Sequence, residues 1–225
     1  MTIRWPDNVL APRDVAFDIA PRTVAGPSSV SGASQVISSS AGIWTATFGG
    51  ITVNTRNRVL TWRAIATLLE GRLGSILLPF CRGYQPITPG AIADGLYDGV
   101  PYSDDASFSD GSLFVGASIS VQLTASISVG GTTANVSIAY GDTIQPGQVF
   151  SINDHAYRVR TAVYTSDTAA TLTFRPTLRV AATTGDLLDF DDPVVKMRLA
   201  SDNEMDLLLD GRRFAYPTIS FVEDV

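Results

Sequence analysis

Between Ile119 and Val129 apolar and polar residues alternate without a break. Ile119, Val121, Leu123, Ala125, Ile127 and Val129 fall on one side, and Ser120, Gln122, Thr124, Ser126 and Ser128 on the other. Successive side chains of a strand point to opposite faces, so this period of two predicts a half-buried strand with one apolar and one hydroxyl-rich face. No helix gathers those six apolar residues on one side. Part of the chain is thereby committed to antiparallel sheet.

Neighbouring segments repeat the signal. Asp14–Ala20 sets Val15, Phe17 and Ile19 in phase, and Gly42–Val53 carries Trp44, Phe48 and Val53 among small residues. Further on, Asn135–Tyr140, Val149–Ile152, Ala156–Val163 and Thr171–Arg175 read as strands separated by turns at Gly130-Gly131, Pro146-Gly147 and Asn153-Asp154. That spacing suits a small barrel or sandwich. After Pro193, Val195, Met197 and Leu199 are again in phase, and a turn at Asp210-Gly211 precedes a closing strand over Arg213–Glu223.

One helix is expected, over residues 61–74. Trp62, Ile65, Leu68, Leu69 and Leu73 form its apolar stripe, Thr61 is the candidate N-cap and Gly74 the terminator. Ile76–Phe80 then reads as a buried strand. Two segments break the pattern. Pro27–Ser40 is rich in Ser and Gly and reads as a mobile loop, or an arm that orders on assembly. Arg82–Gly111 is a long Pro-, Gly-, Asp- and Tyr-rich connection. The expected fold is mainly β: a β-sandwich with one α-helix (1–104), a second small β-barrel or sandwich (105–190), and C-terminal strands (191–225) returning to the first sheet.

Composition narrows the function. A formal charge of −6 argues against a general phosphate-binding surface, which needs clustered Lys and Arg. Only 17% of residues are charged, against roughly a quarter in an average domain. That balance fits surface buried against other subunits, and equally an ordinary Ser/Thr-rich sandwich. Gly111–Gly141 carries no charge, yet its alternation and paired glycines fit a hairpin better than a lipid-facing helix, so no membrane span is expected. Met1–Leu10 lacks the basic-then-apolar order of a signal peptide.

Catalytic motifs are sparse. Cys81 and His155 are the only residues of their kinds, so neither an intrachain disulfide nor a zinc site of several Cys and His is available. Cys81, after an apolar run, reads as a buried small hydrophobe. His155 falls at a hairpin tip rather than in a triad. Gly71–Ser75 lacks the lysine of a phosphate-binding loop and reads as a helix C-terminus. Asp104, Asp105 and Asp110, and Asp189, Asp191 and Asp192, do not match a calcium-loop spacing and read as solvated turns. No catalytic, cofactor or metal residue is therefore assigned, and a non-enzyme is expected. The candidate interface residues are Ser28, Ser31, Ser34 and Ser38 in the arm, and Tyr97, Tyr102, Asp104 and Asp110 in the connection.

Three stretches carry a resemblance. Pro146-Gly147-Gln148-Val149-Phe150-Ser151-Ile152 followed by Ala156-Tyr157-Arg158-Val159, then Leu172–Arg179 with its central Arg175-Pro176, resembles a module of tailed-bacteriophage tail-tip proteins. Val195–Leu199 with Pro217–Glu223 is similar to their closing strands, and Arg58–Phe80 to their helix and following strand. The resemblance implies a distal tail protein of long, flexible-tailed phages: a helix-bearing β-sandwich plus a second β-domain, assembled as a six-fold ring between tail-tube protein and tail hub. It implies a virion protein made in the host cytoplasm, with DNA passing through the lumen rather than held tightly, and no catalytic residues. Two other readings remain. A glycan- or receptor-binding β-module would expose Trp5, Trp44, Trp62 or Tyr97, although Trp44 and Trp62 sit in apolar-periodic segments expected to be core. A hydrolase would need a loop-borne acidic pair such as Asp104 and Asp110.

Overall fold

The computed structural model describes residues 3–28, 30, 32, 34–86, 109, 119–211 and 213–225. The strands β1 (Ile3–Arg4), β2 (Asp14–Ser28) and β3 (Ser34–Gly49), the helix α1 (Arg56–Leu69) and β4 (Ile76–Pro79) come first. Then follow β5 (Ser120–Leu123), β6 (Thr133–Tyr140), β7 (Val149–Ile152), β8 (His155–Ser166), β9 (Ala169–Arg175) and β10 (Leu187–Leu188). β11 (Val194–Leu199) and β12 (Ile219–Glu223) close the chain. The fold is mainly β, as the alternation predicts.

Two compact units result: Met1–Pro79 with Val194–Val225, and Phe80–Pro193. The division falls at Pro79 and Pro193 rather than near residue 105, because Val194 is in register with Pro79 where β4 and β11 run antiparallel. The second unit is thus inserted between two neighbouring strands of the first.

The first unit holds a six-stranded sheet in the order β1-β4-β11-β12-β3-β2, antiparallel except for the β1–β4 pair. Its buried face follows from register. Ala46 lies opposite Phe221 and Phe48 opposite Ile219, while Met197 pairs with Ile76 and Val195 with Leu78. All eight are buried. An aromatic cluster fills that core: Trp5 meets Phe48, Phe221 and Trp62 edge-on at centroid distances of 5.6, 5.8 and 6.3 Å. Both indoles are satisfied, Trp5 Nε1 donating to Leu10 O at 3.0 Å and Trp62 Nε1 to Met205 O at 2.8 Å. A buried polar group without such a partner is strongly unfavourable, so these bonds orient the rings as well as stabilise them.

The helix starts and stops earlier than residues 61–74. Thr55, not Thr61, is the N-cap, its hydroxyl accepting the Arg58 N–H at 3.3 Å. The chain leaves the helix at Glu70, in the left-handed region at φ 46. The buried stripe is Trp62, Ile65 and Leu69, whereas Leu68 and Leu73 are 63% and 82% exposed. Five leucines and isoleucines in a row of candidates obscured the phase that Thr55 sets. Gly74 lies in the turn after the helix, where its N–H donates to Leu69 O at 2.7 Å. A Cβ there would stand 2.8 Å from Leu69 Cα and 2.9 Å from Leu69 O, both rigid backbone. Gly74→Ala should therefore destabilise by about 1–3 kcal/mol, as overpacking does. Unchanged thermal unfolding would show that the turn yields freely.

Asp202 ties that turn down, accepting Arg72 N–H and Nε–H at 3.2 Å each. The hydrogen bond from the Arg72 side chain, then that from its backbone, then its charge hold the Asp202 carboxyl below the usual carboxylate range. A lowered folded pKa means stabilisation that is present above the unfolded carboxylate range and lost as pH falls through the folded value. Both side chains are mainly exposed, so the effect is small at neutral pH. Stability curves of wild type and Asp202→Asn should converge in acid. Curves that stay parallel would remove this role.

The second unit is a six-stranded sheet in the order β10-β5-β6-β9-β8-β7. Ser151 of β7 and Asp189, just after β10, exchange two backbone hydrogen bonds of 2.9 and 3.0 Å, which bring the sheet nearly to closure. Phe150, Tyr157, Phe174 and Phe190 fill the interior, with ring centroids 5.2–5.5 Å apart. Asn153 and Asp154 both have positive φ, 51 and 65, the geometry of a two-residue hairpin turn that matches strand twist. His155 follows it at the start of β8, as the sequence predicts. The long alternation does not make one strand, however. β5 ends at Leu123, only an isolated bridge at Ile127 follows, and Ala125 and Val129 are exposed. Alternation reports which residues can lie on one face, not how far a partner strand accompanies them. Among the described residues no helix is long and apolar enough to cross a membrane.

Candidate assembly surface

The segment expected to be a loop is largely strand. β2 and β3 continue as one hairpin, in register from Asp14↔Gly49 to Ser28↔Ser34. β12 accompanies β3 only as far as Thr45↔Val222. From Ala20↔Ile43 outward the hairpin is therefore two-stranded among the described residues. At 3.3 Å per residue this arm reaches about 26 Å. The Ser/Gly content misled because strand formation here rests on backbone pairing rather than on a buried face.

Both faces of the arm are open. Val24 lies opposite Ile37, and the next pair, Ala25 and Val36, faces the other way. Val24, Ile37 and Val36 are 72%, 66% and 58% exposed, and Val30 at the tip is fully exposed. A two-stranded hairpin alone is marginal in water. Covering a valine or isoleucine contributes about 1.5–3 kcal/mol, so these four side chains offer a partner a gross 6–12 kcal/mol, roughly, before ordering is subtracted.

β2 is also the sheet edge. Its core-side residues grow more exposed than those of the inner strands: Phe17 and Ile19 are half-buried and Val15 is 53% exposed. Pro21 and Pro27 stand at the two register shifts of β2, where a missing N–H is tolerated and an edge is blunted against indiscriminate pairing. The edge between them presents unpaired backbone to a specific partner.

The sequence-predicted residues distribute as follows. Ser28 and Ser34 pair across the hairpin near its tip, and Ser38 pairs with Thr23, so these three share the arm. Ser31, Tyr97, Tyr102, Asp104 and Asp110 lie outside the described residues. Sequence reasoning missed Val24, Val30, Val36 and Ile37. The available signal was the pair of short runs Thr23-Val24-Ala25 and Gln35-Val36-Ile37, β-branched islands among Ser and Gly.

Other candidate chemistry is placed plainly. Cys81 is exposed rather than buried, since it follows β4 instead of continuing it. Asp192 N–H donates to Asp189 Oδ1 at 2.9 Å, so that acidic pair closes a turn. Among the described residues no three His, Cys, Asp or Glu side chains group as metal ligands. All three tryptophans are buried. No protein-family model matches the chain, and no curated protein matches it.

Proposed function

We propose that this protein is a structural subunit of a bacteriophage tail tip, which assembles with copies of itself into a ring joining the tail tube to the central hub. The observation that carries the reading is the β2–β3 arm, a two-stranded ribbon with apolar side chains on both faces and an open edge beside it. A closed ring needs two different patches on each subunit that meet head to tail. An arm and a sheet edge are such a pair, joined by strand addition. The helix-bearing β-unit with an inserted second β-unit is the organisation that the tail-tip resemblance implies. An acidic chain suits a lumen that must release DNA. In this reading the protein resides in the virion after synthesis in the host cytoplasm.

Burial of Trp5, Trp44 and Trp62 withdraws the aromatic platforms that a glycan-binding module would present, so that reading has less support. The deciding experiment is the mass of the purified chain by light scattering and native mass spectrometry. A discrete closed ring of about six copies is expected. A monomer at every concentration would overturn the ring.

A further inference from the structure

A second surface on the first unit has the composition of a docking groove. Ala215 and Val53 exchange two backbone hydrogen bonds of 2.9 and 3.0 Å. That bridge, and the turn closed by Asp210 and Phe214, set residues 209–214 beside the start of α1. The groove between them has Leu60, Leu209 and Phe214 as apolar lining and Arg56, Arg63 and Arg213 as charged lining. Leu60 and Phe214 are 47% and 48% exposed. None of the three arginines has an ion-pair partner among the described residues. Exposed aromatic and aliphatic groups ringed by arginine are what protein interfaces enrich.

The occupant follows from charge. Residues 1–79 and 194–225 contain 11 basic and 10 acidic residues, whereas residues 80–193 contain 5 basic and 12 acidic. The whole net negative charge of the chain therefore belongs to the barrel unit, and exposed Asp154 and Asp167 sit at its hairpin ends. We infer that the arginine-lined groove docks the acidic barrel unit of a second copy. This rests on the ring reading and adds to it a contact independent of the arm. Positive groove and negative barrel are unlike patches, as head-to-tail closure requires, and opposite potentials also fix partner and register. One further fact agrees: Arg56 and Arg58 occupy the first turn of α1, which contains no acid. A cation there opposes the helix dipole, so these residues are not placed for the helix's own stability.

The test uses the full chain with Arg56, Arg63 and Arg213 changed to Glu, singly and together. Native mass is read at low salt and at about 1 M salt, where the Debye length falls to about 3 Å. The triple variant should assemble at least tenfold more weakly than wild type while keeping its circular dichroism. Arg56→Glu alone should weaken assembly with an unchanged or higher Tm, since a carboxylate suits that helix end. Mixing the triple variant with a copy carrying Asp154→Lys and Asp167→Lys should restore mixed assemblies. A triple variant that assembles like wild type overturns the groove while leaving the ring reading intact. Weakened assembly that the barrel reversals do not rescue overturns the barrel as occupant and points to another acidic protein. A wild-type chain that is monomeric throughout removes the ring reading, and this contact with it.

Discussion

Replacing Val24–Ile37 by Asn-Gly should abolish ring formation and leave a folded monomer. Thr23 and Ser38 are a register pair, so a two-residue turn rejoins the strands where they already lie opposite each other. The segment removed contributes Val24, Val30, Val36 and Ile37, whose side chains are mainly exposed. The fold therefore loses almost no buried surface, whereas a partner loses most of the apolar area that the arm offers. At about 1.5–3 kcal/mol per side chain, the loss amounts to several powers of ten in association. Native mass and thermal unfolding separate the two effects. A shortened chain that still forms rings would remove the arm from assembly. One that fails to fold would be answered by Val24→Ser with Ile37→Ser, which keeps the backbone and removes one apolar face.

Trp62→Ala carries the largest expected cost to stability. Trp62 is fully buried between the helix and the sheet, edge-on to Trp5, with its indole N–H on Met205 O. Emptying such a site costs about 3–5 kcal/mol. The Met205 carbonyl also loses its donor in the interior. Marginal total stability makes that a large fraction of the whole, and the midpoint should fall by roughly 10 °C. Trp62→Phe keeps a ring and removes the hydrogen bond, so it should cost markedly less. Equal losses in the two variants would mean that the hydrogen bond, and not the volume, holds the helix on the sheet. A change of less than about 1 kcal/mol in Trp62→Ala would show that the cavity collapses around Trp5.

What the sequence determined alone was local and periodic. Val195, Met197 and Leu199 alternate because one face of β11 is buried, and the turn at Asn153-Asp154 is written in residues that accept positive φ. Trp44 and Trp62 were legible as core because they stand in apolar periods. Tertiary structure decided the rest. Whether Thr55 or Thr61 caps the helix depends on which leucines the sheet covers, and that is a property of Trp5, Phe48 and Phe221. The arm is a strand pair because β2 and β3 hold each other in register, while its sequence offers no buried face to announce it. The groove joins Arg56 and Arg63 to Arg213 only because Val53 bridges Ala215. Periodicity reports the environment of one segment. Pairing and burial between distant segments are set by backbone hydrogen bonds and by the surfaces that happen to meet, and no local pattern encodes them.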